Sequence, residues 1–279
     1  MQNVKYGQIV LGPPGSGKTS YCAGMCAYLE STGRKCSVVN LDPANGRVAG
    51  NDMLAADIRD LICVDKVMAS LNLGPNGSLL YCMEFLEENI DWLLEKLENL
   101  GSDYVIFDFP GQVELYTHHQ GARNIASALC ASGFRMVVVY LVDAPYCLQR
   151  TTYISATFLA LATMLHMELP HVNVLSKVDL VSENSIDLDL DFNFSFTHLH
   201  SDVRPVGETD DAANRPTCKF VGRLEERYLK FHETLTEMIE DFQLVHFETL
   251  TIMEPASIKR LAEILDKTVG YVKSNAESI

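Results

Sequence analysis

None of the eight cysteines in the 279-residue sequence forms a C-x-x-C pair, and none has metal-ligand spacing. That excludes zinc ribbons and dithiol redox motifs, and fits reduced thiols in cytosol or nucleus. Cys22 and Cys26 share a helix face with apolar neighbours and read as core residues. Positive charge is also scarce. There are 22 Lys and Arg against 37 Asp and Glu, a net charge of -15 with pI near 4.9. Such a balance argues against a chain that works directly on nucleic acid or on an anionic membrane, and leaves room for a basic protein partner. Long apolar runs are missing too. The most apolar stretch, Ile154–Leu165, closes with His166, Glu168 and Pro170. It falls short of the about 18 residues a membrane span needs and reads as a buried helix. Met1–Gly7 has no apolar core of the secretory kind. Internal repeats and linkers are absent as well. With 47% hydrophobic and 21% charged residues, the chain has globular composition and length enough for a sizeable core.

The run Gly12-Pro13-Pro14-Gly15-Ser16-Gly17-Lys18-Thr19 is a complete G-x-x-x-x-G-K-[ST] pattern. It lies between a short apolar strand, Gln8–Leu11, and a helical stretch that begins at Lys18. The glycines let backbone N–H groups turn inward on a polyphosphate, and the helix N-terminus adds partial positive charge. Lys18 would reach β/γ oxygens, and the Thr19 hydroxyl would ligate Mg²⁺. Ser20 completes the expected nucleotide-binding run.

Three further strand ends carry chemistry. Asp108-Phe109-Pro110-Gly111-Gln112 follows the strand Tyr104–Phe107. There Asp108 would approach the Mg²⁺ shell, Gly111 would offer its N–H to a γ-phosphate, and Gln112 would orient water. Asp42-Pro43-Ala44-Asn45 ends the strand Ser37–Leu41. Alone it reads as a turn; beside a phosphate loop, Asp42 reaches the same face, for Mg²⁺ waters or the attacking water. Ser176-Lys177-Val178-Asp179 is a variant of the N-K-x-D guanine reader, with Ser176 where Asn is usual. Asp179 would accept from guanine N1–H and the 2-amine, which adenine cannot offer, while the Lys177 stem packs over the base. A backbone contact to guanine O6 is expected near Glu248-Thr249-Leu250, where no S-A-K motif is present. Leu73-Gly74-Pro75-Asn76-Gly77 has the composition of a type II turn.

Strands and helices alternate, the signature of a parallel sheet covered by helices. Expected strands are Gln8–Leu11, Ser37–Leu41, Tyr104–Phe107, Met136–Val142, Val172–Leu175 and Val245–Phe247. Expected helices are Lys18–Ser31, Glu84–Leu100, Gln120–Ser132, one within Leu148–Met167, Glu225–Phe242 and Ser257–Lys273. The stripe Leu86, Ile90, Leu93, Leu97 and Leu100 reads as core-facing, with a dimer seam as the sharper alternative. The stretch from about 182 to 222 breaks the rhythm: an alternating strip, Asp187–Phe196, runs into a polar loop. One α/β domain with an insertion is the expected organisation.

Taken together, these residues resemble the GPN-loop GTPases. The matching segments are Gly12–Thr19, Asn40–Asn45, Gly74–Gly77, Asp108–Leu115 and Val174–Leu180, in that family's order from about Gly7 to Tyr271. The resemblance implies a P-loop NTPase of SIMIBI-like class, with a mostly parallel doubly wound sheet and helices on both faces. It implies GTP and GDP as ligands, Mg²⁺ as cofactor, and Asp42, Gln112 and Asn76 as catalytic residues. It implies a homodimer or a heterodimer with another GPN-loop GTPase, in which the Gly74-Pro75-Asn76 loop reaches the partner's γ-phosphate. It further implies a role in assembly and nuclear delivery of RNA polymerase II, with polymerase subunits or assembly factors as partners, and a cytoplasmic protein that shuttles to the nucleus. The strip Asp187–Phe196 and the acidic loop after it match the family poorly. A nucleotide-gated scaffold with incidental hydrolysis is the alternative to the switch enzyme. A phosphate-loop kinase is a third reading, opposed by the base reader, by Gln112 and by the lack of an Arg-rich lid.

Overall fold

The apolar run before the phosphate loop forms strand β1 (Lys5–Leu11), with Ile9, Val10 and Leu11 fully buried. Burial on both faces is what a central parallel strand requires, and each such side chain contributes about 1.5–3 kcal/mol. A computed structural model of the chain describes residues 5–45, 54–148, 150–181 and 245–271, with 230, 231, 234, 235 and 238 as isolated positions. Within these, β1 is flanked by β4 (Tyr104–Asp108) and β5 (Phe134–Asp143) in a seven-stranded sheet. The order is β3-β2-β4-β1-β5-β6-β7, where β2 is Cys36–Asn40, β3 Leu54–Asp57, β6 His171–Ser176 and β7 Phe247–Leu250. Every pairing is parallel. The register sets Asp108 beside Val10 and Asn40, and Asp143 beside Ser176. The carboxyl ends therefore share one rim, where doubly wound sheets bind ligands.

Two cores, one on each face, hold the sheet. On one face, helices α1 (Lys18–Ser31) and α8 (Pro255–Val269) contribute Cys22, Met25, Cys26, Leu261 and Leu265. Both cysteines pack as core residues, about 1% exposed. On the other face lie α3 (Pro75–Glu88), α4 (Ile90–Glu98), the short α5 (Glu114–Thr117), α6 (Gly121–Ala131) and α7 (Arg150–Met167). Leu86, Leu93 and Leu97 are buried there, with Ile90 and Leu100 packed against them, so the leucine stripe faces the core. Among the described residues no helix is long and apolar enough to cross a membrane.

Several expectations are corrected. The single helix Glu84–Leu100 is two helices, broken at Asn89 (φ -111, ψ 35), whose side-chain amide donates to the Phe85 carbonyl. That bond offers the backbone an alternative to continuing the helix. The Leu73–Gly77 stretch is not a type II turn. Gly74 caps α3, Pro75 fills its first turn, and the Ser78 N–H bonds the Gly74 carbonyl. Proline suits a first helical position, whose N–H is unpaired anyway. The left-handed residue is instead Asn72, φ 52, which ends α2 (Val64–Leu71). Neither α2 nor β3 was expected. Leu54-Ala55-Ala56-Asp57 has no β-branched residue to announce a strand. The last strand runs Phe247–Leu250, so the loop expected at Glu248–Leu250 starts only at Thr251. The insertion at 182–222 lies outside the described residues, as does most of the expected helix Glu225–Phe242; its described positions are helical.

Candidate active site

Helix α1 starts at Lys18 with Gly17 as its cap, no side-chain capping bond and no acidic residue in its first turn. Its leading N–H groups and its dipole therefore face the loop Gly12–Gly17 without a competing anion. Lys18 is only 8% exposed, and its ammonium donates to the Gly12 carbonyl at 3.0 Å and the Pro13 carbonyl at 3.2 Å. Burial pulls its pKa below the usual lysine value; the Asp108 and Asp42 carboxylates oppose that shift. A cleft of about 510 Å³ opens over this loop, lined also by Ser20, Asp42, Asn45, Gly111, Gln112 and Lys177.

Two of the three residues expected at a metal, Thr19 and Asp108, are in direct contact. The Thr19 hydroxyl donates to Asp108 Oδ2 at 2.8 Å. Asp108 is 3% exposed, and its Oδ1 has no hydrogen-bond partner among the described residues. Burial pushes its pKa up to about 6, against the Thr19 hydrogen bond and Lys18 and with help from Asp42. Burial also raises Asp42, whose Oδ1 accepts the Ala44 N–H at 2.9 Å. The described residues contain no group of three His, Cys, Asp or Glu suited to a metal. A cation here would use one hydroxyl, one or two carboxylates, phosphate oxygens and water, which is how Mg²⁺ binds with a nucleotide. Thr19, Asp108 and Asp42 fit that set. One neighbour was missed in the sequence, where it reads as a turn residue: Asn45 Nδ2 lies 3.1 Å from Thr19 Oγ1 and 3.4 Å from Asp108 Oδ2.

Gly111 sits where any side chain would collide. A Cβ there would meet Lys18 Nζ at 2.8 Å and the Pro14 backbone at 3.2 Å. Glycine leaves room for the Lys18 ammonium while the Asp108–Gln112 segment lies this close to the phosphate loop. Next to it, Gln112 Nε2 donates to Asn76 Oδ1 at 2.7 Å, within one chain. The exposed start of α3 thus joins the site, although sequence alone gave no physical reason to connect these positions.

At the end of β6, the buried Ser176 hydroxyl donates to the Ser16 carbonyl at 2.8 Å and the Val142 carbonyl at 3.1 Å. Ser176 thus ties β6 to the phosphate loop. Lys177 adopts φ 59, and its ammonium bonds the Gly15 carbonyl at 2.6 Å and Asp143 Oδ2 at 2.9 Å. Asp143 is the last residue of β5. Asp179 lies in a short 3-10 turn, Val178–Leu180, with an exposed side chain that takes no hydrogen bond among the described residues. Its carboxylate is free for a ligand.

A parallel sheet, a glycine-rich loop opening on a helix, and a Thr in that helix's first turn bonded to an Asp at the end of the neighbouring strand define a P-loop nucleotide-binding protein. Comparison with known proteins agrees and narrows the class. A family described as conserved hypothetical ATP binding protein matches residues 10–271. GPN-loop GTPase QQT1 of Arabidopsis thaliana is 43% identical over 269 residues, 96% of this chain and 86% of that protein. The GPN-loop GTPase 2 homolog of Dictyostelium discoideum is 42% identical over 98% of this chain and 82% of its own length. GPN-loop GTPase 2 of Saccharomyces cerevisiae is 37% identical over 98% and 76%. The chain belongs to the GPN-loop GTPase family. A solved apo-form GTPase from Pyrococcus abyssi shares the fold, with TM-score 0.68 at 22% identity, covering 96% of this chain and 98% of the other.

Proposed function

We propose that this chain is a Mg²⁺-dependent GTPase that acts as a dimeric switch. The observation that carries the reading is convergence: Lys18, Thr19 with Asp108 bonded to it, Gln112 and Lys177 meet at one cleft, and Asp179 follows Lys177 by two residues in the turn Val178–Leu180. Lys18 and the α1 N-terminus offset charge on the β- and γ-phosphates. Thr19 and Asp108, with Asp42 nearby, would hold Mg²⁺, which when bound neutralises phosphate oxygens. Gln112 and Asp42 orient the water that attacks the γ-phosphorus. Asp179 selects guanine. The family description names ATP, but adenine has neither the N1–H nor the 2-amine that a carboxylate accepts from, and a mismatched polar group is costly.

The dimer reading rests on family membership and on exposure around the α3 start. Asn76 is exposed there, beside Leu71, Leu73 and Tyr81, which are 46%, 37% and 38% exposed. The partner is a second copy or another GPN-loop GTPase. A role with RNA polymerase II subunits or assembly factors, and a cytoplasmic protein that shuttles to the nucleus, rest on the family resemblance. If hydrolysis is incidental, the same cleft serves a nucleotide-gated scaffold. A variant that binds but does not hydrolyse GTP, and still supports assembly in cells, would favour the scaffold.

The test of the base assignment is Asp179→Asn. Its amide oxygen still accepts from N1–H, while its NH₂ donates to a carbonyl at C2, which xanthine has and guanine lacks. The expected outcome is a shift of preference from GTP toward XTP in competition binding. A variant that keeps the parent's preference for GTP removes Asp179 as the reader.

A further inference from the structure

Three atoms form a tight group at the rim of β2 and β4: Thr19 Oγ1, Asp108 Oδ2 and Asn45 Nδ2. The Thr19 hydroxyl gives its proton to Asp108 at 2.8 Å. Both oxygens are then acceptors toward Asn45, at 3.1 and 3.4 Å. An amide placed against two acceptors must present its NH₂ rather than its oxygen, which settles the orientation of Asn45. The main chain of Asn45 is held separately. Arg59 donates to the Asn45 carbonyl while it forks onto Asp57 at the end of β3. Asn40 in turn donates to Asp57 at 3.0 Å. Asn45 is also tied to Asp42, because its N–H bonds the Asp42 carbonyl at 3.2 Å.

We propose that Asn45 is a cation-displaced gate: its amide competes with Mg²⁺ for Thr19 and Asp108, and metal binding expels it. The inference rests on the Mg²⁺ reading above. Thr19 and Asp108 cannot serve both partners well, since a dication drawn to these oxygens meets amide hydrogens of positive partial charge aimed at the same point. Because Arg59 holds the Asn45 carbonyl, the amide leaves by rotation of its side chain while the main chain stays in place. Metal binding and the position of the Asn45 side chain thereby become one equilibrium, and the cation stabilises the expelled position.

The test needs no turnover. Release of fluorescent GDP is followed by stopped flow across a Mg²⁺ series for the parent, Asn45→Ala and Asn45→Ser. Thermal unfolding of the GDP-bound proteins confirms folding. Because the competitor is gone, the Mg²⁺ midpoint for slowing release is expected to fall about three- to tenfold in either variant, the scale of one or two hydrogen bonds. An unchanged midpoint makes Asn45 a bystander, and a raised midpoint makes it a supporter of the cation; either overturns the gate. If release from the parent ignores Mg²⁺, the metal reading itself fails, and the gate with it. Should one variant not fold, the other carries the same expectation.

Discussion

Gln112 and Asn76 lie 36 residues apart in sequence and share one hydrogen bond, with the Gln112 NH₂ donating to the Asn76 oxygen at 2.7 Å. That bond leaves a defined pair of free ends. Gln112 keeps its oxygen as an acceptor, and Asn76 keeps its NH₂ as a donor. In the proposed reaction a water poised to attack needs an acceptor for its proton, and a γ-phosphate oxygen needs a donor; the pair would supply one of each. Gln112→Leu removes both the acceptor and the link to Asn76 with little change of size. It is expected to keep GTP affinity and to lower single-turnover hydrolysis about a hundredfold, the scale of a positioning group. Unchanged hydrolysis would take Gln112 out of the chemistry and leave Asp42 as the water-orienting residue. Lys18, Thr19, Asp108 and Gln112 were readable in the sequence because fixed spacing from a strand end dictates their placement. Asn45 and Asp143 were not, since a turn residue and a strand-end carboxylate become functional only through neighbours far away in sequence.

The phosphate loop shows how one element divides its constraints. Gly12 has φ 145, and a Cβ there would meet the Leu141 carbonyl oxygen at 2.4 Å; Gly15 has φ 82, and a Cβ would meet nothing within 4 Å. Gly12 is wedged against β5, whereas Gly15 faces the open cleft. Gly12→Ala therefore combines backbone strain with a clash against main chain that cannot move aside, and is expected to destabilise by about 3 kcal/mol or more. Gly15→Ala carries strain alone, about 1–2 kcal/mol. Urea unfolding of the two nucleotide-free variants checks the order, and equal losses would refute the wedge. Legibility at this scale followed periodicity. Helix α1 occupies Lys18–Ser31 as expected, because a Gly-rich start and a long helical run bound it unmistakably. The region after β2 was opaque for two reasons. Strand β3 is alanine-rich, and the break between α3 and α4 is made by one side-chain bond from Asn89 that no hydrophobic pattern betrays.

At the scale of the molecule, the proposed dimer gives Asn76 two pockets to act in, its own and the partner's. In one chain it is bonded through its oxygen to Gln112, yet its NH₂ remains available and its position at the start of α3 is exposed. The family resemblance assigns it to the partner's pocket. A neutral amide donates a hydrogen bond but neutralises no charge, so its loss should cost less than the about 10³–10⁵ of an arginine finger. A trans role makes a prediction that no cis role shares. Lys18→Ala has an intact loop and a failed pocket, with nucleotide affinity expected to drop at least about tenfold because a charge-assisted bond is lost. Asn76→Ala has the reverse defect. Each alone should hydrolyse GTP poorly. In a mixed dimer, one pocket holds both Lys18 and the partner subunit's contribution at position 76, so activity should partly return on mixing. Subunit exchange is shown first with labelled chains. With exchange established, a mixture no more active than its components would place Asn76 in its own chain's site, bonded to Gln112 and acting there.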